Sequence, residues 1–120
     1  MINELVKRLS EGKHKVILEG RNDSYEDIKS RINNGFVYIN FIETKGTGTE
    51  IGIHLDHNKT DITYSDFDEK EGRVRVVGAT TLNYNPVRCI VDVDLSTRIG
   101  EGYLEVISEE ELLDVVKFYY

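Results

Sequence analysis

The chain has 120 residues, with 15 Lys and Arg against 22 Asp and Glu, one Cys, one Pro and no Trp. One Cys cannot form an internal disulfide bond, and a net charge of −7 disfavours direct binding to nucleic-acid phosphates. No run approaches the roughly 18 apolar residues of a transmembrane helix, and the N-terminus lacks a signal-peptide pattern. The composition therefore predicts a single cytoplasmic domain, residues 1–120, with no membrane segment.

Two helices separated by one strand are predicted in the N-terminal part of the chain. Apolar residues recur at helical spacing from Ile2 to Leu9, and Gly12 is well placed to end this first helix. The apolar run from Lys15 to Gly20 is typical of a strand. A second helix is predicted to begin at Ser24, whose side chain can cap a helix N-terminus, and to stop at Gly35.

From Phe36 the apolar period changes from helical to alternating, which indicates strands. Turns are predicted at residues 45–49 and at Ile99–Gly102, where glycines cluster. Ser108 and Glu111 have capping-box spacing and begin a terminal helix with Tyr119 on its apolar face. The predicted strands cover residues 36–43, 50–56, the vicinity of Ile62 and Tyr64, 73–82, 87–95 and 103–107.

This order of elements predicts an α+β fold. Strands that follow one another with short connections form antiparallel neighbours, and such a run is a meander. We expect an antiparallel β-meander of about five to seven strands, with two N-terminal helices and one C-terminal helix.

The negative charge is not spread evenly along the chain. Residues 1–45 carry a net charge of +1, whereas residues 46–120 carry −8. Carboxylates two residues apart on a strand lie about 7 Å apart, which is close to the phosphate spacing of a nucleic-acid strand. We therefore predict an acidic surface that binds a basic partner, the alternative being an acidic face that serves solubility only. Its expected contacts are Asp66, Asp68, Glu69, Glu71, Asp92 and Asp94, with Glu101 and Glu105 adding to the negative field.

A small metal-dependent enzyme is the third and weakest hypothesis. His54, Asp56 and His57 form the one cluster of metal-competent residues, and zinc or iron would need three or four such ligands. His14 lies far away in the sequence, and Cys89 alternates with valines, as a small buried residue does. The preferred interpretation is that these histidines end a strand and that the protein has no metal, no other cofactor and no catalytic residues.

A ligand-binding or structural domain is the second hypothesis. A meander can curve into a half-barrel around an apolar cavity, and tyrosines on its strands would then line that cavity. The alternative that we favour is that these side chains fill the core. The tyrosines concerned are Tyr38, Tyr64, Tyr84 and Tyr103.

The first 40 or so residues contain the amphipathic segment Ile2–Leu9, the run Lys15–Gly20, and Arg31-Ile-Asn-Asn-Gly35 leading into Val37-Tyr-Ile. This opening resembles that of small phage-encoded anti-CRISPR proteins. It implies an acidic single domain that inhibits a Cas nuclease by acting as a surrogate for DNA. Together with the charge distribution, it predicts an inhibitor of a basic nucleic-acid-handling protein, and not an enzyme. An exposed strand edge leaves both a monomer and a homodimer open.

Overall fold

A computed structural model describes residues 3–20, 24–44 and 48–117. The predictions that fall outside these residues concern Ile2, the turn at residues 45–47 and Tyr119. The helices and strands are α1 (Glu4–Ser10), β1 (His14–Glu19), α2 (Tyr25–Asn34), β2 (Phe36–Phe41), β3 (Thr49–Leu55), β4 (Ser65–Asp66), β5 (Glu71–Leu82), β6 (Asn85–Asp94), β7 (Ile99–Val106) and α3 (Glu109–Val116).

Six of the strands form a closed antiparallel barrel. Neighbouring strands follow in the order β3-β2-β1-β7-β6-β5, and a pairing of β3 with β5 completes the ring. β1 joins β7 through four residue pairs, from His14 opposite Gly102 to Ile17 opposite Ile99. The predicted fold class was therefore wrong: the sheet is a barrel and not an open meander. β4 is an additional two-residue strand that pairs with β5.

Ile99–Gly102, which its clustered glycines predicted to be a turn, is the segment that closes the barrel. Ile99–Gly102 lies inside β7, and the chain turns before it, at residues 95–98. Gly100 pairs with buried residues of β1 and β6 and so faces the interior. A Cβ atom on Gly100 would overlap the carbonyl oxygen of Asp92, and one on Gly102 would lie 2.7 Å from the Val91 side chain. The two glycines thus let β7 curve tightly against β6.

The strand predicted around Ile62 and Tyr64 was also misplaced. Both residues lie in the connection between β3 and β4, where Asp61 makes an isolated antiparallel bridge to Arg75 of β5. The Asp61 carboxylate accepts the backbone N–H of Thr63 at 2.8 Å. This local bond favours a turn over continued pairing.

Aliphatic side chains fill the barrel interior, and two helices cover its ends. Val6 and Leu9 of α1 and Ile28 and Ile32 of α2 belong to the same buried cluster as the inward residues of the strands. The backbone N–H of Asn3 donates to the Asn85 side chain, at the start of β6. The Tyr25 hydroxyl of α2 donates to the Ser96 carbonyl, beyond the end of β6. The two helices therefore lie at opposite ends of the barrel. No described helix has the length and apolar character needed to cross a membrane.

The third helix packs on the outer wall. Ser108 and Glu111 form the predicted capping box, since each accepts a backbone N–H from the other. Leu112 and Val115 of α3 pack with Ala79 and Ile107 in a separate small cluster. This cluster fixes α3 across the outer faces of β5 and β6.

Candidate functional site

The acidic turn, residues 66–71, connects β4 to β5 beside α2. Asp66 pairs with Glu71 across the base of the turn. The Oδ1 atom of Asp66 accepts the backbone N–H groups of Asp68 and Glu69, at 3.0 and 3.1 Å. Such a bond from an Asp side chain to the following backbone is a local device that reverses the chain. It presents Asp68 and Glu69 at the tip, where both are exposed.

The cation within the acidic turn, Lys70, contacts α2 and not the neighbouring carboxylates. Its ammonium group lies 5.3 Å from the centroid of the Tyr25 ring, an arrangement in which the ring face attracts the charge. Asp68, Glu69 and Glu71 form no ion pair within 4.0 Å with any residue that the structure describes. The acidic turn therefore holds exposed carboxylates whose charge is not neutralised by such a contact.

Asp94 lies next to the acidic turn but has a structural role. Its Oδ1 accepts the Ser96 hydroxyl at 2.6 Å and the Ser96 backbone N–H at 2.8 Å. These two bonds, the hydroxyl first, hold the pKa of Asp94 below its ordinary value. The next residue, Leu95, donates its N–H to the carbonyl of Gly72 at 2.9 Å. Asp94 thus stabilises the β6–β7 turn and flanks the acidic turn.

Asp92 is neutralised by an ion pair. The Arg75 guanidinium donates to both carboxylate oxygens of Asp92, each at 2.9 Å. Cross-strand register extends this contact into a row on the outer wall, in which Asp92 lies opposite Glu101 and Glu101 lies opposite Lys15. The row contains two cations and two anions. Sequence reasoning counted the carboxylates of this face and missed the cations that β5 and β1 place beside them.

The candidate metal ligands do not converge on one point. The His54 ring packs edge to face on Phe36, with ring centroids 4.9 Å apart. The Asp56 carboxylate accepts the backbone N–H of Asn58, and His57 lines a cavity beneath α3. Among the described residues, no three His, Cys, Asp or Glu side chains are grouped as a metal site would require.

The tyrosines neither line a common cavity nor fill the core. Tyr64 and Tyr84 are 77% and 96% exposed. Tyr38 lies on the outer face of β2, where the Arg31 guanidinium is 5.3 Å from its ring centroid. Tyr103 is half-buried on the outer face, opposite Ile90. Both expectations for these residues were wrong, because smaller aliphatic side chains and Phe41 already occupy the interior.

A cavity of about 440 Å³ lies between α3 and residues 55–59, and sequence reasoning did not anticipate it. It carries apolar, cationic and anionic side chains, because a helix crosses over the end of a strand at this point. The sequence gives no signal for it, since the position of α3 over β6 depends on long-range packing. Residues that line the cavity include Leu55, Lys59, Arg88, Glu111, Asp114 and Val115.

Arg88 is the most buried charged side chain at this cavity. Its guanidinium lies 3.4 Å from Glu111 of α3 and 3.9 Å from Glu105 of β7. Its Nε atom is shielded from solvent and has no hydrogen-bond partner. The Glu111 pKa is lowered, chiefly by the backbone N–H of Ser108 and, to a smaller extent, by Arg88. Arg88 therefore joins α3 to the barrel wall and retains an unused donor.

No protein-family model matches the chain, and no curated protein matches it significantly in sequence. The functional assignment accordingly depends on the chemistry of the acidic turn and of the cavity under α3.

Proposed function

We propose that this protein binds a basic surface of a nucleic-acid-handling protein and blocks it by taking the place of the phosphate backbone. The observation that carries the proposal is the acidic turn, in which Asp68, Glu69 and Glu71 lack ion-pair partners among the described residues. The one cation of that segment, Lys70, is directed to the Tyr25 ring. A surface rich in Lys and Arg attracts such carboxylates as it attracts phosphates.

The acidic turn is rigidly attached to the barrel. The side chain of Asp66, its first residue, accepts two backbone N–H groups within the turn. The residue that follows the turn, Gly72, accepts the N–H of Leu95 with its carbonyl oxygen. A turn whose backbone is already ordered loses little backbone conformational entropy on binding. The barrel behind it supplies the bulk that excludes nucleic acid from the same surface.

We propose a smaller set of direct contacts than the sequence alone predicted. Asp68, Glu69 and Glu71 are the direct contacts, and Asp66 shapes the turn that presents them. Asp94 flanks the site, whereas Asp92 contributes little because Arg75 neutralises it. The resemblance of the N-terminal segment to anti-CRISPR proteins makes a Cas nuclease, met in the cytoplasm, the first partner to test. The mode of action is binding and blocking, which needs no catalytic residue and no cofactor.

The proposal is tested by binding to an oligo-arginine peptide and to a guide-loaded Cas nuclease, each at low and high salt. We expect affinity to fall about tenfold or more as screening increases. A variant carrying Asp68→Lys and Glu69→Lys should weaken binding by a similar factor. The matched control carries Glu11→Lys and Glu50→Lys, which change the net charge equally at exposed positions away from the acidic turn.

Two results would refute the proposal. One is an affinity for both probes that does not change with salt, since charge mimicry requires screening. The other is an equal loss of affinity in the control variant, which would mean that net charge matters and the acidic turn does not. If the peptide binds at the acidic turn and the Cas nuclease does not, the partner is a different basic protein.

A further inference from the structure

The cavity beneath α3 has the size of a small-molecule site. Its volume of about 440 Å³ falls within the range of roughly 300–1,000 Å³ that ligand pockets occupy. Val115 of α3 contributes apolar surface. The charged lining residues come from α3, from β6 and from residues 56–59. The site therefore combines an apolar surface with a few polar groups, as ligand sites do.

The carboxylates at this cavity already have partners. Asp56 accepts the backbone N–H of Asn58 at 3.0 Å, and Asp114 pairs with Lys117 at 3.6 Å. Glu111 accepts the backbone N–H of Ser108 and the Arg88 guanidinium. Each of these three carboxylates therefore already has at least one partner within the fold.

The donors are the groups that remain unused. Arg88 lines the cavity, and its terminal guanidinium nitrogens lie 3.4 Å from Glu111 and 3.9 Å from Glu105, distances that are long for charge-assisted hydrogen bonds. Lys59 is exposed at the cavity and forms no ion pair with a described residue. A ligand that accepts hydrogen bonds and carries negative charge would satisfy both groups.

We infer that this cavity binds a small monocarboxylate with a short apolar body. One carboxylate oxygen accepts from Arg88, the other pairs with Lys59, and the hydrocarbon part packs on Val115. A single negative charge is favoured over a dianion such as phosphate, because Glu111 and Asp114 also border the cavity and repel added charge. This site lies on α3 and is separate from the acidic turn.

The inference is tested by titrating the full chain with hexanoate and following backbone amide shifts by NMR. We expect saturable shifts confined to residues 55–59, Arg88 and residues 111–115. Hexanol, which has the apolar body without the charge, and inorganic phosphate should produce no saturable shifts at these residues. Binding of hexanol equal to that of hexanoate, or of phosphate alone, would overturn the inference, as would no saturable hexanoate binding.

Matched variants separate the site from general charge effects. Lys59→Gln removes an exposed cation without disturbing packing and should weaken hexanoate binding by about fivefold, the size of a solvent-accessible ion pair. Lys29→Gln, on the exposed face of α2, should leave binding unchanged, and equal weakening by both variants would refute the site. Val115→Phe, which fills the cavity, should abolish the shifts while the remaining spectrum stays folded; retained binding would place hexanoate elsewhere. The variant with Asp68→Lys and Glu69→Lys should bind hexanoate normally, so this inference and the proposed function fail independently.

Discussion

The Lys70 ammonium lies 5.3 Å from the centre of the Tyr25 ring, so the acidic turn is tied to α2 through its one cation. Lys70 also has a positive φ of 57°, a conformation that glycine adopts more readily. The contact with Tyr25 and the backbone conformation together direct the ammonium toward α2. The neighbouring carboxylates face solvent, and none of them has an ion pair with a residue that the structure describes.

Replacement of this cation should strengthen binding to a basic probe. Lys70→Gly removes a contact worth about 0.5–1 kcal/mol and relieves the left-handed backbone, so we expect a small net change in stability, about 1 kcal/mol or less. The loss of one positive charge should raise affinity for oligo-arginine by about twofold. Urea unfolding and a binding titration measure the two effects. Weaker binding by the variant would show that Lys70 itself belongs to the contact surface.

Asp92 should contribute little to the affinity for a basic partner. Arg75 donates to both of its carboxylate oxygens, and both side chains are about half exposed, at 50% and 53%. We expect Asp92→Asn to change affinity for the basic probe by about twofold or less and stability by about 1 kcal/mol or less. A loss of affinity as large as that of the variant with Asp68→Lys and Glu69→Lys would show that Asp92 belongs to the binding surface.

Closure of the barrel should depend on Gly100. A Cβ atom there would overlap the Asp92 backbone oxygen, which cannot move without disturbing the β6–β7 ladder. We expect Gly100→Ala to lower the free energy of unfolding by about 3 kcal/mol, a value typical of severe overpacking. Gly12→Ala is the comparison, because Gly12 has open space around it and a φ of 75°. Its cost should be only about 1 kcal/mol, so similar losses in both variants would contradict the role of Gly100 in closure.

Acid should destabilise the protein partly through Asp94. Bonds from the Ser96 hydroxyl and backbone N–H lower the Asp94 pKa, so the folded state favours the ionised form. The stabilisation is present above the unfolded pKa of about 3.9 and is lost as the pH falls through the lower folded pKa. Asp94→Ala should therefore reduce the difference in unfolding free energy between about pH 6 and about pH 3. An unchanged pH dependence, measured by urea unfolding, would contradict this assignment.

Cys89 should be unreactive in the folded protein. It is fully buried, and burial raises the pKa of its thiol to about 12. Since the thiolate is the reactive form, we expect labelling by iodoacetamide at neutral pH only after unfolding. Labelling should follow the urea unfolding curve. Rapid labelling in the absence of urea would show that the wall formed by β6 opens locally.

Local features of the fold could be predicted because neighbouring residues determine them. The capping box of Ser108 and Glu111 forms as its spacing indicates. Ile51, Ile53 and Leu55 share a buried face, as their alternation predicts. A helix cap depends on contacts within one turn of the helix, and the face of a strand depends on the alternation of neighbouring residues. Both can therefore be predicted from short stretches of sequence.

The candidate site could be predicted only in part, for the same reason. The acidic turn is a contiguous segment, and its carboxylates are visible in the sequence. The neutralisation of Asp92 by Arg75 depends on the β5–β6 register, which joins residues 17 positions apart. The cavity depends on α3 crossing the strand that carries Arg88, with Glu111 reaching it from 23 positions away.

By itself, the sequence determined the helix caps, the inward and outward faces of most strands and the acidic turn. The tertiary structure alone decided that β1 pairs with β7, that Asp92 is neutralised and that α3 leaves a cavity over Arg88. The physical reason is the range of the interactions involved. Caps and alternation depend on residues a few positions apart, whereas His14 meets Gly102 only when the whole chain has folded.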